Sequence, residues 1–193
     1  MPRQIFTYDP PDRFVAGTVG EPGSRTFFLQ ATADGRTTSV ALEKQQVSVL
    51  AERLEALLDE VVRRTAGEAN VPAITPAEVE DTAPLEAPIE EEFRVGTMAL
   101  AWDGDDEVVV IEAQAVTEDD AEDGEDPEDE LPLIEDDEEG PPLLRVRLSG
   151  AAARAFAKRA TAVVSAGRPP CPFCGGPLDA TGHVCPRANG YRR

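Results

Sequence analysis

All three cysteines and the single histidine of this 193-residue chain fall within fifteen positions, as Cys171, Cys174, His183 and Cys185. Cys171 and Cys174 make a Cys-x-x-Cys pair, and two thiolates at that spacing can face one ion. Gly175 follows them and can turn without a Cβ clash while backbone amides approach the sulfurs. His183 and Cys185 stand two residues apart, which in an extended segment puts both side chains on one face. Three sulfurs and one imidazole supply four protein ligands and leave no open position. That pattern points to structural Zn²⁺. It disfavours catalytic zinc, because a fourth protein ligand takes the place of the activated water. The competing readings are a redox Cys-x-x-Cys, or three free thiols beside an unrelated histidine. A redox motif calls for a βαβ context and no third cysteine close by. An odd cysteine count argues against a disulfide-stapled fold. The expected cofactor is one structural zinc ion on Cys171, Cys174, His183 and Cys185.

Little other catalytic equipment is visible. With the histidine and cysteines committed to metal, no histidine base and no thiol nucleophile remain. Neither of the common glycine-rich phosphate cradles is present. Asp9, Asp12, Arg13, Glu43 and Lys44 lie near strand ends and could line a pocket for a phosphorylated small molecule. Solvated strand ends are the plainer reading of each. Around the cysteines, Arg168, Arg187, Arg192 and Arg193 form a basic tail, with Phe173 and Tyr191 placed to stack on bases. The first expectation is therefore a non-enzymatic binding, adaptor or regulatory protein with a structural zinc site and protein partners of unstated identity. The alternatives are an enzyme, or a component of one, acting on a phosphorylated small molecule, and contact with nucleic acid or another anionic ligand through the tail.

Charge narrows these options. There are 38 acidic against 18 basic side chains, a formal net charge of -20, which argues against a nucleic-acid coat and against docking on anionic lipid. Residues 118–140 carry 15 acids and no base, and residues 67–92 carry 8 more, leaving +3 for the remainder. From residue 141 onward the balance is +8. Dense blocks of like charge repel themselves, so both acidic segments are expected as loop or linker. The long one could screen the basic end. Within it, Leu131-Pro132-Leu133-Ile134 is an apolar island that reads either as an incidental patch or as a docking motif. No run of about 18 apolar residues exists, so no membrane span is expected. The first residues lack a signal-peptide pattern, and a cytoplasmic location is expected.

The elements that must position these groups read as one unit written twice. Strands are expected at 13–20, 25–33 and 36–42, with Asp34-Gly35 a two-residue hairpin turn. A helix follows, carrying Val47, Leu50, Ala51, Leu54, Leu57, Leu58 and Val61 on one stripe. The second half repeats strand, turn, strand and strand at 93–102, 107–115 and 143–148. Ser149 then N-caps a helix reaching about residue 166, with Ala153, Phe156, Ala160, Val163 and Val164 on one face. Phe93, Gly96 and Thr97 fall in phase with Phe14, Gly17 and Thr18. The expected fold is α+β: duplicated β-β-β-α units forming a mainly antiparallel sheet with two helices, plus a small C-terminal zinc knuckle. The expected division is 1–66, first unit; 67–91, acidic proline-rich connector; 92–167, second unit with an acidic loop at 117–141; and 168–193, zinc-knuckle tail. The acidic loop occupies the slot that Asp34-Gly35 fills in the first half, an insertion that loop-closure entropy tolerates.

The stretch from Cys171-Pro172-Phe173-Cys174-Gly175-Gly176-Pro177-Leu178 to Gly182-His183-Val184-Cys185-Pro186-Arg187-Ala188-Asn189-Gly190-Tyr191 resembles the C-terminal signature of an actinobacterial family, domain of unknown function 3090. Ile5-Phe6-Thr7-Tyr8, Asp12-Arg13-Phe14-Val15-Ala16-Gly17-Thr18 and Leu42-Glu43-Lys44-Gln45-Gln46-Val47 are similar to its N-terminal part. The likeness spans nearly the full length. The family has no established activity, so the resemblance implies no reaction.

Overall fold

The computed structural model describes residues 2–117, 133, 139–167, 170–176, 178, 183 and 185–187. Seven strands form one mixed sheet: β1 (Ile5–Tyr8), β2 (Arg13–Val19), β3 (Thr26–Ala33), β4 (Arg36–Leu42), β5 (Glu91–Asp103), β6 (Val108–Ala115) and β7 (Leu143–Ser149). Helix α1 (Lys44–Arg64) follows β4, and α2 (Gly150–Ser165) follows β7. The strand order is β1-β7-β6-β5-β4-β3-β2. Each half is an antiparallel meander, and the halves join where β4 runs parallel to β5.

Local chemistry accounts for most elements. Asp34 and Gly35 take φ of 52° and 73°, the left-handed pair that a tight hairpin requires. Helix α1 buries Val47, Leu50, Ala51, Leu54, Leu58 and Val61, and each fully buried leucine contributes roughly 2 kcal/mol. Its start is a capping box: the Glu43 carboxylate accepts from the amide of Gln46, and Glu43 N donates to Gln46 Oε1 at 2.8 Å. Gln46 Nε2 also donates to the carbonyls of Val95 and Gly96, where the β5–β6 register shifts between Val95 and Met98. Ser149 accepts from the amide of Ala152 and caps α2.

One strand is not legible from local pattern. β1 lies parallel to β7, pairing Ile5 with Leu143 and Tyr8 with Val146. In a flat sheet β1 and β4, four strands apart, would be separated by about 19 Å. Instead Tyr8 Oη is 2.7 Å from Thr38 Oγ1 on β4, and the Arg36 guanidinium sits 4.7 Å from the Tyr8 ring centre. The sheet is therefore strongly curled. Its concave side holds both helices against one core that includes Phe14, Leu29, Val40, Phe93, Ile111, Val146 and Phe156. Phe14 and Phe156 stack at 4.5 Å, tying β2 to α2.

The acidic connector is irregular, apart from a single 3-10 turn at Ala77–Val79, and it is packed. Ala69 and Val71 are buried. Arg154, only 4% exposed, holds this end by donating to Pro72 O while pairing with Glu55 and Asp59 on α1. The chain then passes the β2 edge and crosses the outer face of the first meander. There Lys158 pairs with Glu80, while Arg13 and Arg159 both reach Asp81. Glu86 N donates to Gln30 Oε1, and Gln30 Nε2 returns a bond to Glu86 O. Arg159 Nε donates to Ala16 O, satisfying a carbonyl on the edge strand. Acids that would repel one another in isolation are neutralised here by bases from outside the segment. The connector acts as a strap.

Candidate metal centre

Cys171 and Cys174 are drawn together by a tight turn: Gly175 N donates to Cys171 O at 2.8 Å, and Cys171 N to Gly176 O at 2.7 Å. Gly175 takes φ of 74°, and nothing lies within 4 Å of where its Cβ would be. Its glycine is therefore required by backbone conformation and not by space. His183 and Cys185 come to the same place, and one ligand atom from each of the four residues lies within 4.8 Å of every other. Cys171 Sγ and Cys185 Sγ are 3.8 Å apart, and Cys174 Sγ is 3.3 Å from His183 Nε2.

These distances discriminate. A disulfide would need about 2.05 Å between sulfurs. Two sulfurs about 2.3 Å from a common ion at the tetrahedral angle stand about 3.8 Å apart. Cys171 and Cys185 are buried, and all three thiols are unpaired by disulfide. Burial pushes the Cys171 thiol up. Hydrogen bonds from the amides of Cys174 and Phe173, and from the neighbouring thiols, outweigh it and hold the group below its usual value. At Cys174 the Gly176 amide pulls down, but burial and the other sulfurs win, and the thiol is held up. Crowded sulfurs compete for protons in this way, and a shared cation relieves the competition. His183 presents Nε2 to the cluster, and its Nδ1 is buried with no hydrogen-bond partner among the described residues. The four residues can hold a metal ion.

Of the other sequence candidates only Asp12 and Arg13 share a cavity, and the rest lie apart. Asp9 pairs with Arg147, and Asp12 accepts from the amide of Asp34. Arg13 grips Asp81 on the strap, in the wall of a cavity of about 380 Å³ that Asp12, Phe14 and Arg159 also line. Burial, and then the nearness of Arg13, lower the pKa of Arg159, whereas hydrogen bonding to Asp81 raises that of Arg13. Glu43 caps α1 and pairs with Arg94, and Lys44 faces a different cavity together with Arg25. Arg25, expected as the first residue of a strand, lies just before β3, which starts at Thr26, and the strand pattern gave its side chain no functional signal. In the tail, Arg187 donates to Phe173 O and Phe173 is exposed. Arg168, Tyr191, Arg192 and Arg193 lie outside the described residues, as do Leu131, Pro132 and Ile134. Leu133 lines a cavity on the outer face of the second meander with Val110, Arg145 and Arg147.

No helix among the described residues is long and apolar enough to cross a membrane. A family model described as "Protein of unknown function (DUF3090)" matches residues 6–185. Neither the curated proteins nor the solved structures contain a match.

Proposed function

The chain belongs to the DUF3090 family of proteins of unknown function, and from that premise we propose that it is a non-catalytic binding protein of the cytoplasm whose C-terminal segment is braced by one structural Zn²⁺. One observation carries the reading: three sulfurs and one imidazole nitrogen gathered within 4.8 Å. Soft sulfur with a single imidazole suits zinc, and a closed set of four leaves no position for a reacting water. Bound zinc would cross-link a segment too short to bury a core of its own. The engagement of Asp9, Asp12, Arg13 and Glu43 each in a structural contact favours binding over catalysis. Protein purified without added zinc should carry about one ion per chain, and Cys174→Ser should lose it. A fully loaded Cys174→Ser variant would overturn the ligand set.

A second reading, contact with nucleic acid, is favoured by the exposed Phe173, whose backbone carbonyl accepts from Arg187. Deleting residues 118–140 should then strengthen binding to RNA at low salt, and unchanged binding argues against it. We also read the two meander-and-helix units as a duplication. Their common order and the equivalent burial of Phe14 and Phe93 support this. Superposing the units should set Phe14 on Phe93 and Gly17 on Gly96; a best fit in another register would sink the idea.

A further inference from the structure

Arg25 and Lys44 face one cavity of about 260 Å³, set between the turn that joins β2 to β3, the start of α1 and the residues that follow α2. Pro22, Phe27, Val164 and Gly167 complete most of its wall, and no carboxylate among the described residues lines it. That is unusual in a chain with 38 acids and 18 bases. Elsewhere Arg13, Arg94, Arg145, Arg147, Arg154, Lys158 and Arg159 each reach an acid. Among the described residues Arg25 donates to a carbonyl, Ala166 O, and its Nε is buried with no partner at all. Lys44 has no partner there either. The acid next to it in sequence, Glu43, is turned away to Arg94 at 3.0 Å and to the capping of α1.

We infer that this cavity binds the phosphate group of a small phosphomonoester. Two uncompensated cations call for a dianion. A guanidinium matches phosphate oxygens with its fork of donors, while the lysine adds a point charge. The apolar walls of Phe27, Val164 and Pro22 would take the organic part of the ester. The volume suits a small molecule, and the field of a chain at -20 opposes a polyanion far more than a single phosphate. The site goes beyond the zinc reading and stands apart from it, because none of its lining residues is a metal ligand.

The test uses isotope-labelled, zinc-loaded full-length protein, titrated with inorganic phosphate and with phenyl phosphate at constant ionic strength. Saturable amide shifts should centre on Gly23, Arg25, Phe27 and Gly167, with phenyl phosphate binding more tightly. Arg25→Met and Lys44→Met should each weaken binding about tenfold, the worth of one charge-assisted hydrogen bond. Lys44→Arg should retain it. Lys44 is exposed, so its variants test the site without disturbing the core. Absence of saturable shifts with both probes would overturn the site. Shifts confined to the Arg187 region, or affinity unaltered in both methionine variants, would do the same. Equal affinity for the two probes would overturn the ester assignment in favour of free phosphate.

Discussion

Replacing Asp81 by alanine should unfasten the strap. The carboxylate receives Arg13 Nε at 2.6 Å, Arg13 Nη2 at 3.1 Å, Arg159 Nη1 at 2.9 Å and the amide of Ala83 at 2.9 Å. Its side chain is 31% exposed, and those of Arg13 and Arg159 are 16% and 12% exposed. The site thus lies between a surface ion pair, worth up to about 1 kcal/mol, and a broken buried pair, costing about 3–5 kcal/mol. The carbonyls of Ala83, Pro84 and Ala16 would still occupy part of each guanidinium. Removing the acid leaves two cations facing each other. The expected loss is about 2–3 kcal/mol. Urea unfolding followed by the fluorescence of the single tryptophan, Trp102, should show a midpoint lower by about 1 M with an unchanged slope.

Acidity gives this prediction a second arm. Hydrogen bonding from Arg13 is the main force holding Asp81 below the usual carboxylate range; burial opposes it, and the Ala83 amide and Arg159 assist. A carboxylate with a depressed folded-state pKa stabilises fully above its unfolded value, near 3.9, and loses that contribution as pH falls through the folded one. The gap between wild type and Asp81→Ala should be constant near neutrality and narrow below about pH 4. A loss under about 0.5 kcal/mol, or a gap that widens on acidification, would refute the reasoning.

Glu112→Ala should cost about 3 kcal/mol in urea, since Glu112 is fully buried and its loss removes the carboxylate 2.6 Å from the Arg145 guanidinium. Gly150→Ala should destabilise by about 1–3 kcal/mol although alanine favours helix, because the new Cβ would stand 2.8 Å from Asn70 O and Val71 Cγ2. Phe156→Ala, which removes the ring stacked on Phe14, should cost about 3–5 kcal/mol and lower the thermal midpoint accordingly. A strong chelator that strips the proposed ion from Cys171, Cys174, His183 and Cys185 should lower the unfolding free energy followed by Trp102 by less than about 0.5 kcal/mol, since no ligand belongs to the main hydrophobic cluster.

What was legible in the sequence depended on how far each cause lies along the chain. The Asp34-Gly35 turn, the α1 stripe and the Ser149 cap are set by residues within one or two turns of each other, and the structure has them as read. The gathering of Cys171, Cys174, His183 and Cys185 was legible because these residue types are rare here and their spacing is chemical. β1 was missed because its partner is 138 positions away, and four residues carry no usable period. The connector was read from its charge and prolines as a plain link. Its packing depends on Arg13, Lys158 and Arg159, which are distant in sequence. Gly17 shows the same limit. Its phase with Gly96 was visible, but its reason for lacking a side chain, Leu85 at 2.6 Å from a would-be Cβ, was not.

The pairing of β1 with β7 also bears on how the protein is born. Ile5 emerges from the ribosome early, while Leu143, its partner, is synthesised 138 residues later. At about 5–20 residues per second, the N-terminal strand waits on the order of ten seconds with its edge open. During that interval the first meander and α1 can assemble, with Thr38 and Arg36 ready to receive the Tyr8 side chain, but the backbone of β1 lacks its ladder partner from Leu143 to Val146. Completion of the sheet therefore coincides with arrival of the last strand, and a nascent chain stalled before residue 143 exposes a strand edge that only a chaperone or another chain could cover.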